Sequence, residues 1–206
     1  MNRQISFSQY RSIDLAIMAV LMALSQAGIS IASVTIYADQ LYVVSTVGAV
    51  VTLVLMRWNG WAAIHAVLGG IVVAALSGGN WQQYIIYCVG NLFSLLALVL
   101  LKHPGKERIR QDGLAAMLFA ACVQVLMQLG RGVVAFLFGY SLSACFGFIT
   151  TDALSILFTA CVIWVCRRIE GLFEDQKNIC SVSKRGNPLK GENRFEEIVS
   201  WGFSDL

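Results

Sequence analysis

Apolar residues run along this chain in long blocks, without the alternation of a half-buried strand and with polar positions confined to narrow stripes. Crossing the hydrocarbon layer as a helix takes about 17 to 25 residues. Runs of about that length cover 13–37, 41–56, 61–77, 83–101, 114–138 and 141–166, the second and third being the shortest. They predict an all-α membrane protein with six transmembrane helices. The 2 prolines, Pro104 and Pro188, lie outside these runs, so the helices are expected to be largely unbroken.

The polar residues inside the runs are spaced to share faces. In the fifth run Gln124, Gln128 and Arg131 fall at i, i+4 and i+7. In the sixth, Asp152, Ser155 and Thr159 fall at i, i+3 and i+7, with Thr150 and Thr151 adjacent; in the fourth, Tyr84, Tyr87 and Asn91 repeat that spacing. An unsatisfied polar group in hydrocarbon costs several kcal/mol, so these three stripes are expected to face one another around an interior cavity. A rise of 1.5 Å per residue puts Arg131 about 12 Å below the turn at Gly139 and Asp152 about 16 Å below Ser141. An arginine near the bilayer centre costs roughly 2.5 to 3.5 kcal/mol on insertion scales and reads as functional by default. The expectation is a pocket open to the outside, with Arg131 and Asp152 low in it and Trp81, Tyr84 and Tyr87 near its rim. The alternative is that Arg131 and Asp152 simply pair and lock two helices together.

The first run carries another pattern. Ala16, Ala19, Ala23 and Ala27 form a narrow stripe of small side chains that permits close approach of a helix, within the bundle or from a partner.

Composition places the chain far from soluble domains: 57% of residues are hydrophobic and 13% charged, with a mean hydropathy of +0.69. Of the 15 basic residues, all but Arg131 precede the first run, follow the sixth, or lie between the second and third or the fourth and fifth. Basic residues collect on the cytoplasmic side. Both termini are therefore expected in the cytoplasm, and the net charge of +3 reflects topology and gives no support to nucleic-acid binding. Residues 1–176 read as one six-helix domain and 177–206 as a polar, disordered cytosolic tail. A cleaved leader ending near Ala23 and Ser25 is disfavoured because apolar sequence continues through Ile36. The 6 cysteines show no metal-ligand spacing, so neither metal nor disulfide is expected.

No GxxxxGK run is present, so ATP-driven work requires a partner. Intramembrane proteolysis lacks its signature, since Ala75-Leu76-Ser77-Gly78 misses the first glycine and His65 lies near the cytoplasmic end of its run. No enzyme activity and no cofactor are expected.

The chain resembles the S components of energy-coupling factor (ECF) transporters, over about residues 8–176. The alanine-rich "AIMAVLMALSQA" and the strings "MRWNGWAAIHAVLGG", "IYCVGNLFSLLAL", "MQLGRGVVA" and "FITTDALSILFT" carry the likeness. It implies a binding protein for a vitamin or similar micronutrient in the bacterial plasma membrane, working with a transmembrane T component and two cytosolic ATPases. The alanines Ala16, Ala19, Ala23 and Ala27 would form the docking face. On this reading Arg131 anchors an anionic or strongly accepting group, and Asp152, Asn91, Gln124, Gln128, Thr151 and Ser155 supply hydrogen bonds. Trp81, Tyr84 and Tyr87 offer stacking surface. The rivals are a stand-alone secondary transporter, which usually shows repeats or broken helices, and a structural subunit without ligand.

Overall fold

The computed structural model describes residues 7–36, 44–101 and 105–169. The expected tail at 177–206 lies outside the described residues. Every described regular element is a helix, as expected where backbone groups must be satisfied without water. Five stretches are long and apolar enough to cross a membrane: Phe7–Ser33, Val47–Leu76, Trp81–Leu100, Gly113–Leu137 and Leu142–Cys166.

The second of these is folded back on itself. Helix α1 is Phe7–Thr35, α2 is Val47–Trp58 and α3 is Ala62–Leu76, with a short 3₁₀ turn at Asn59–Trp61 between the last two. Asn59 takes φ 54°, a left-handed conformation that reverses the chain. In a continuous helix Val47 and Gly69 would lie about 33 Å apart. Here they touch, a Cβ built on Gly69 falling 2.3 Å from a Val47 methyl. Two arms of about 18 and 22 Å therefore stand in place of one 30-residue span. The expected second helix, 41–56, correspondingly starts later and ends later, at Val47–Trp58.

Helix α4, Trp81–Leu92, begins two residues before its apolar run because Asn80 and Gln83 close a capping box on each other's backbone N–H. It continues through a 3₁₀ turn at Phe93–Leu96 into α5, Ala97–Leu100. A short helix, α6 (Lys106–Gln111), buries Ile109, and Lys106 Nζ donates to the Met56 carbonyl at 3.0 Å. Helix α7, Gly113–Leu137, is capped by Asp112, whose carboxylate accepts from Leu114 N at 2.9 Å.

The last span departs from expectation. It is two helices, α8 (Leu142–Thr150) and α9 (Ala153–Cys166), interrupted at Thr151–Asp152 without any proline. Side chains replace the lost ladder: Gln128 Nε2 donates to the Asp152 carbonyl at 2.8 Å, which also accepts from Ser155 N at 3.0 Å.

In hydrocarbon an exposed leucine is no worse off than a buried one, so association rests on close packing and polar contacts. Small residues supply the closeness. A Cβ on Gly130 would fall 2.3 Å from the Gly90 carbonyl oxygen, and one on Gly90 would fall 2.6 Å from Arg131 N, so α4 and α7 meet backbone to backbone. Large apolar side chains such as Leu24, Leu118, Leu137 and Leu157 face outward. On α1 the buried face is Leu15, Met18, Met22 and Gln26; the alanines sit one position on, Ala16 exposed and Ala19, Ala23 and Ala27 half-buried.

Candidate functional site

Members of all three predicted stripes converge. Arg131 Nη1 donates to Asp152 Oδ2 at 2.8 Å and its Nε to Asn91 Oδ1 at 2.8 Å. Asn91 Nδ2 in turn donates to the Ala66 carbonyl at 3.0 Å, tying α4 to α3. Gln124 Nε2 reaches Asp152 Oδ2 at 3.3 Å, and the Ser155 hydroxyl donates to Asp152 Oδ1. The Arg131 guanidinium also lies 4.9 Å over the Tyr87 ring, a cation–π contact. A charge that is 3% exposed is thus neutralised by a carboxylate 7% exposed, at a point where the helix carrying that carboxylate is broken.

The network extends beyond the predicted residues. Ser45 N donates to the Ser155 hydroxyl at 2.8 Å, so the entry to α2 is held deep in the bundle, level with Ser155 rather than with Ser141. Gln26 Oε1 accepts from Ser45 Oγ at 3.2 Å, Thr46 N at 3.0 Å and Thr46 Oγ1 at 3.3 Å. Gln26, Ser45 and Thr46 are buried and were not read from the sequence. Gln26 had a signal, being a polar side chain inside an apolar run on the Met18–Met22 face. Ser45 and Thr46 had none, because their depth depends on where α2 begins.

The centre is not fully satisfied internally. Arg131 Nη2, Gln124 Oε1, Gln128 Oε1 and Thr159 Oγ1 are buried without a hydrogen-bond partner among the described residues. Gln124 Oε1 points at the first turn of α2, where a Cβ on Gly48 would fall 1.7 Å from it and 3.2 Å from Thr159 Oγ1. Each such atom carries a desolvation penalty of about 1 to 3 kcal/mol unless something pairs with it.

Beside the centre an open cleft of about 240 Å³ is lined by Tyr87, Tyr140, Ala144, Gly147, Phe148 and Thr151. The expected arrangement put Arg131 and Asp152 on the pocket floor. Instead they lie behind the lining, because the guanidinium, the carboxylate and Asn91 are engaged with one another. Tyr87 separates the two regions: its ring covers Arg131 on one side and meets Phe148 edge-on at 6.1 Å on the other. Thr151, the residue before Asp152, lines the cleft, with its hydroxyl donating to the Gly147 carbonyl at 2.6 Å.

The remaining expected residues are more peripheral. Trp81 is 65% exposed and packs edge-on against Phe138 at 5.8 Å; Tyr84 is half-buried and outside the cleft lining. Tyr140 replaces them, its hydroxyl donating to Gln82 Oε1 at 3.3 Å. His65 is buried against α1, its Nε2 3.0 Å from the Leu15 carbonyl oxygen.

A second ion pair, with Arg57 buried and Asp14 partly buried, was also missed. Arg57 Nε and Nη2 grip Asp14 Oδ2 and Oδ1 at 3.0 and 2.8 Å, and Trp58 Nε1 donates to Asp14 Oδ2 at 2.5 Å. In the sequence Arg57 counts only as the basic residue between the second and third runs.

Compared with known proteins, the chain matches no family model, no curated protein and no solved structure.

Proposed function

We propose that this chain is a membrane-embedded solute-binding subunit, the S component of an ECF-type importer. It would lie in a bacterial plasma membrane with six spans and both termini cytoplasmic, and capture a micronutrient from outside. A T component and two cytosolic ATPases would drive delivery, with the stripe of Ala16, Ala19, Ala23 and Ala27 as the docking face. The importer assignment rests on the sequence resemblance. The solute-binding reading is carried by one observation: a buried charge pair at a broken helix, with unpartnered polar atoms, stands directly behind an aromatic cleft through Tyr87. Pockets of this kind combine apolar walls with a few fixed polar groups. Binding begins in the cleft, movement of Tyr87 brings the solute against Arg131, and release follows when the partner complex distorts the centre.

The test is mass spectrometry of small molecules that copurify with the protein from its own host, beside the Arg131→Ala variant. A specific compound on the parent and none on the variant supports the reading. Equal retention by both, or no compound together with no uptake defect on deletion, overturns it.

One observation favours the stand-alone carrier as a second reading. Interrupted helices at mid-depth are typical of secondary transporters, and the break falls at Asp152 itself. Uptake by the purified chain alone in proteoliposomes, driven by an ion gradient and independent of ATP, would select it.

A further inference from the structure

Arg131 suggests an anionic solute, but its charge is already answered. Asp152 lies 2.8 Å from it, in a site where both side chains are at least nine-tenths buried. A second anion brought beside that pair would leave the centre with a net negative charge in a low-dielectric region, which is costly unless it is paired in turn. The unused hydrogen-bonding capacity is of mixed kind. Arg131 Nη2 is a donor, Gln124 Oε1 and Gln128 Oε1 are acceptors, and Thr159 Oγ1 is either. Both glutamine nitrogens are engaged with Asp152, which fixes the amides so that their oxygens face away from it. The cleft in front contributes no charged side chain. Ala144 and Gly147 form a small-residue ledge on one face of α8, and Tyr87, Tyr140 and Phe148 provide ring surfaces. A Cβ on Gly147 would meet nothing within 4 Å, so that ledge is open.

We infer that the solute is an uncharged, flat heterocycle presenting a cyclic-amide edge, its carbonyl to Arg131 Nη2 and its N–H to Gln128 Oε1, since Gln124 Oε1 is turned toward Gly48 of α2. The ring rests on the Ala144–Gly147 ledge and displaces Tyr87 from the guanidinium. This deepens the solute-binding reading and rests on it.

The test uses the full chain in lipid nanodiscs and saturation-transfer NMR with four small probes: 2-pyridone, benzoate, benzylammonium and toluene. These share ring size and differ in edge chemistry. Binding of 2-pyridone at least about tenfold tighter than the other three, a difference of about 1.4 kcal/mol, is the expected result. Gly147→Leu, which fills the open ledge, should abolish that binding while leaving the melting temperature unchanged. Preference for benzoate, preference for toluene, binding indifferent to Gly147→Leu, or no binding by any probe overturns the inference. The solute-binding reading is judged separately by the copurified compound: a specific but anionic compound would sink the edge chemistry and leave the binding role standing, whereas its absence together with no uptake defect on deletion sinks both.

Discussion

Two arginine–aspartate pairs, one buried and one partly buried, stand in one bundle and are built differently. Arg57 and Asp14 meet through two parallel contacts, and the Trp58 indole adds a third donor to the same carboxylate. Aromatic rings of Phe7 and Tyr10 pack on Trp58 at 5.7 and 6.1 Å. Arg131 and Asp152 share one contact, and the surrounding polar groups exceed what that contact uses. A forked pair capped by an indole fastens α1 to α2. A single-contact pair at a helix break, with spare donors and acceptors, is the arrangement that a solute can complete. Buried ion pairs therefore carry information through their surplus rather than through their presence.

The largest expected contrast comes from removing one partner of each pair. Arg131→Ala should destabilise the protein by about 3 to 5 kcal/mol, since it leaves the buried Asp152 charge uncompensated, and Asp14→Ala should also destabilise it by removing the carboxylate that Arg57 and Trp58 share. Denaturant titration in mixed micelles measures this. Solute capture separates them: the folded fraction of Asp14→Ala should bind with unchanged affinity, and Arg131→Ala should not bind.

Gly90→Val should follow. Its first added carbon would fall 2.6 Å from the Arg131 backbone, so α4 must move off α7 and carry Asn91 away from Arg131. The expected cost is about 1 to 3 kcal/mol of overpacking, with uptake reduced tenfold or more. An equivalent change at Gly60, where a Cβ meets nothing within 4 Å, should leave uptake intact. The smallest effect belongs to Tyr87. Tyr87→Phe keeps the ring over Arg131 and should alter binding less than about threefold, whereas Tyr87→Leu loses a cation–π contact of about 0.5 to 2 kcal/mol. Equilibrium binding of the copurified solute distinguishes the two.

The convergence of Arg131, Asp152, Gln124, Gln128, Asn91 and Ser155 was legible because helical spacing puts polar residues on one face and hydrocarbon forbids leaving them alone. The break at Asp152 was harder to see, since neither proline nor glycine marks it. Its trace is Thr150-Thr151-Asp152, side chains that bond local backbone and compete with the helical ladder: Thr150 Oγ1 donates to the Phe146 carbonyl at 3.3 Å and Thr151 Oγ1 to that of Gly147 at 2.6 Å. The reversal at Asn59 was legible as a short connection, but the depth at which α2 starts was not. That depth is set by Gln26 and Ser155 gripping Ser45 and Thr46, a tertiary contact no local pattern encodes. The guanidinium's withdrawal behind Tyr87 was likewise invisible, because spacing gives a face and not a layer.

Replacing a buried ion pair by apolar groups of similar size removes both charges at once, and folding is often recovered or improved. The deciding measurement is solute capture by two such double variants, Arg131→Met with Asp152→Leu and Arg57→Met with Asp14→Leu, each first verified as folded by its melting temperature. A binding centre at Arg131 requires the first to be folded and empty, and the second folded and loaded. Capture at parental affinity by the Arg131→Met, Asp152→Leu protein would make that pair a fastening like its counterpart and remove the basis for a site there.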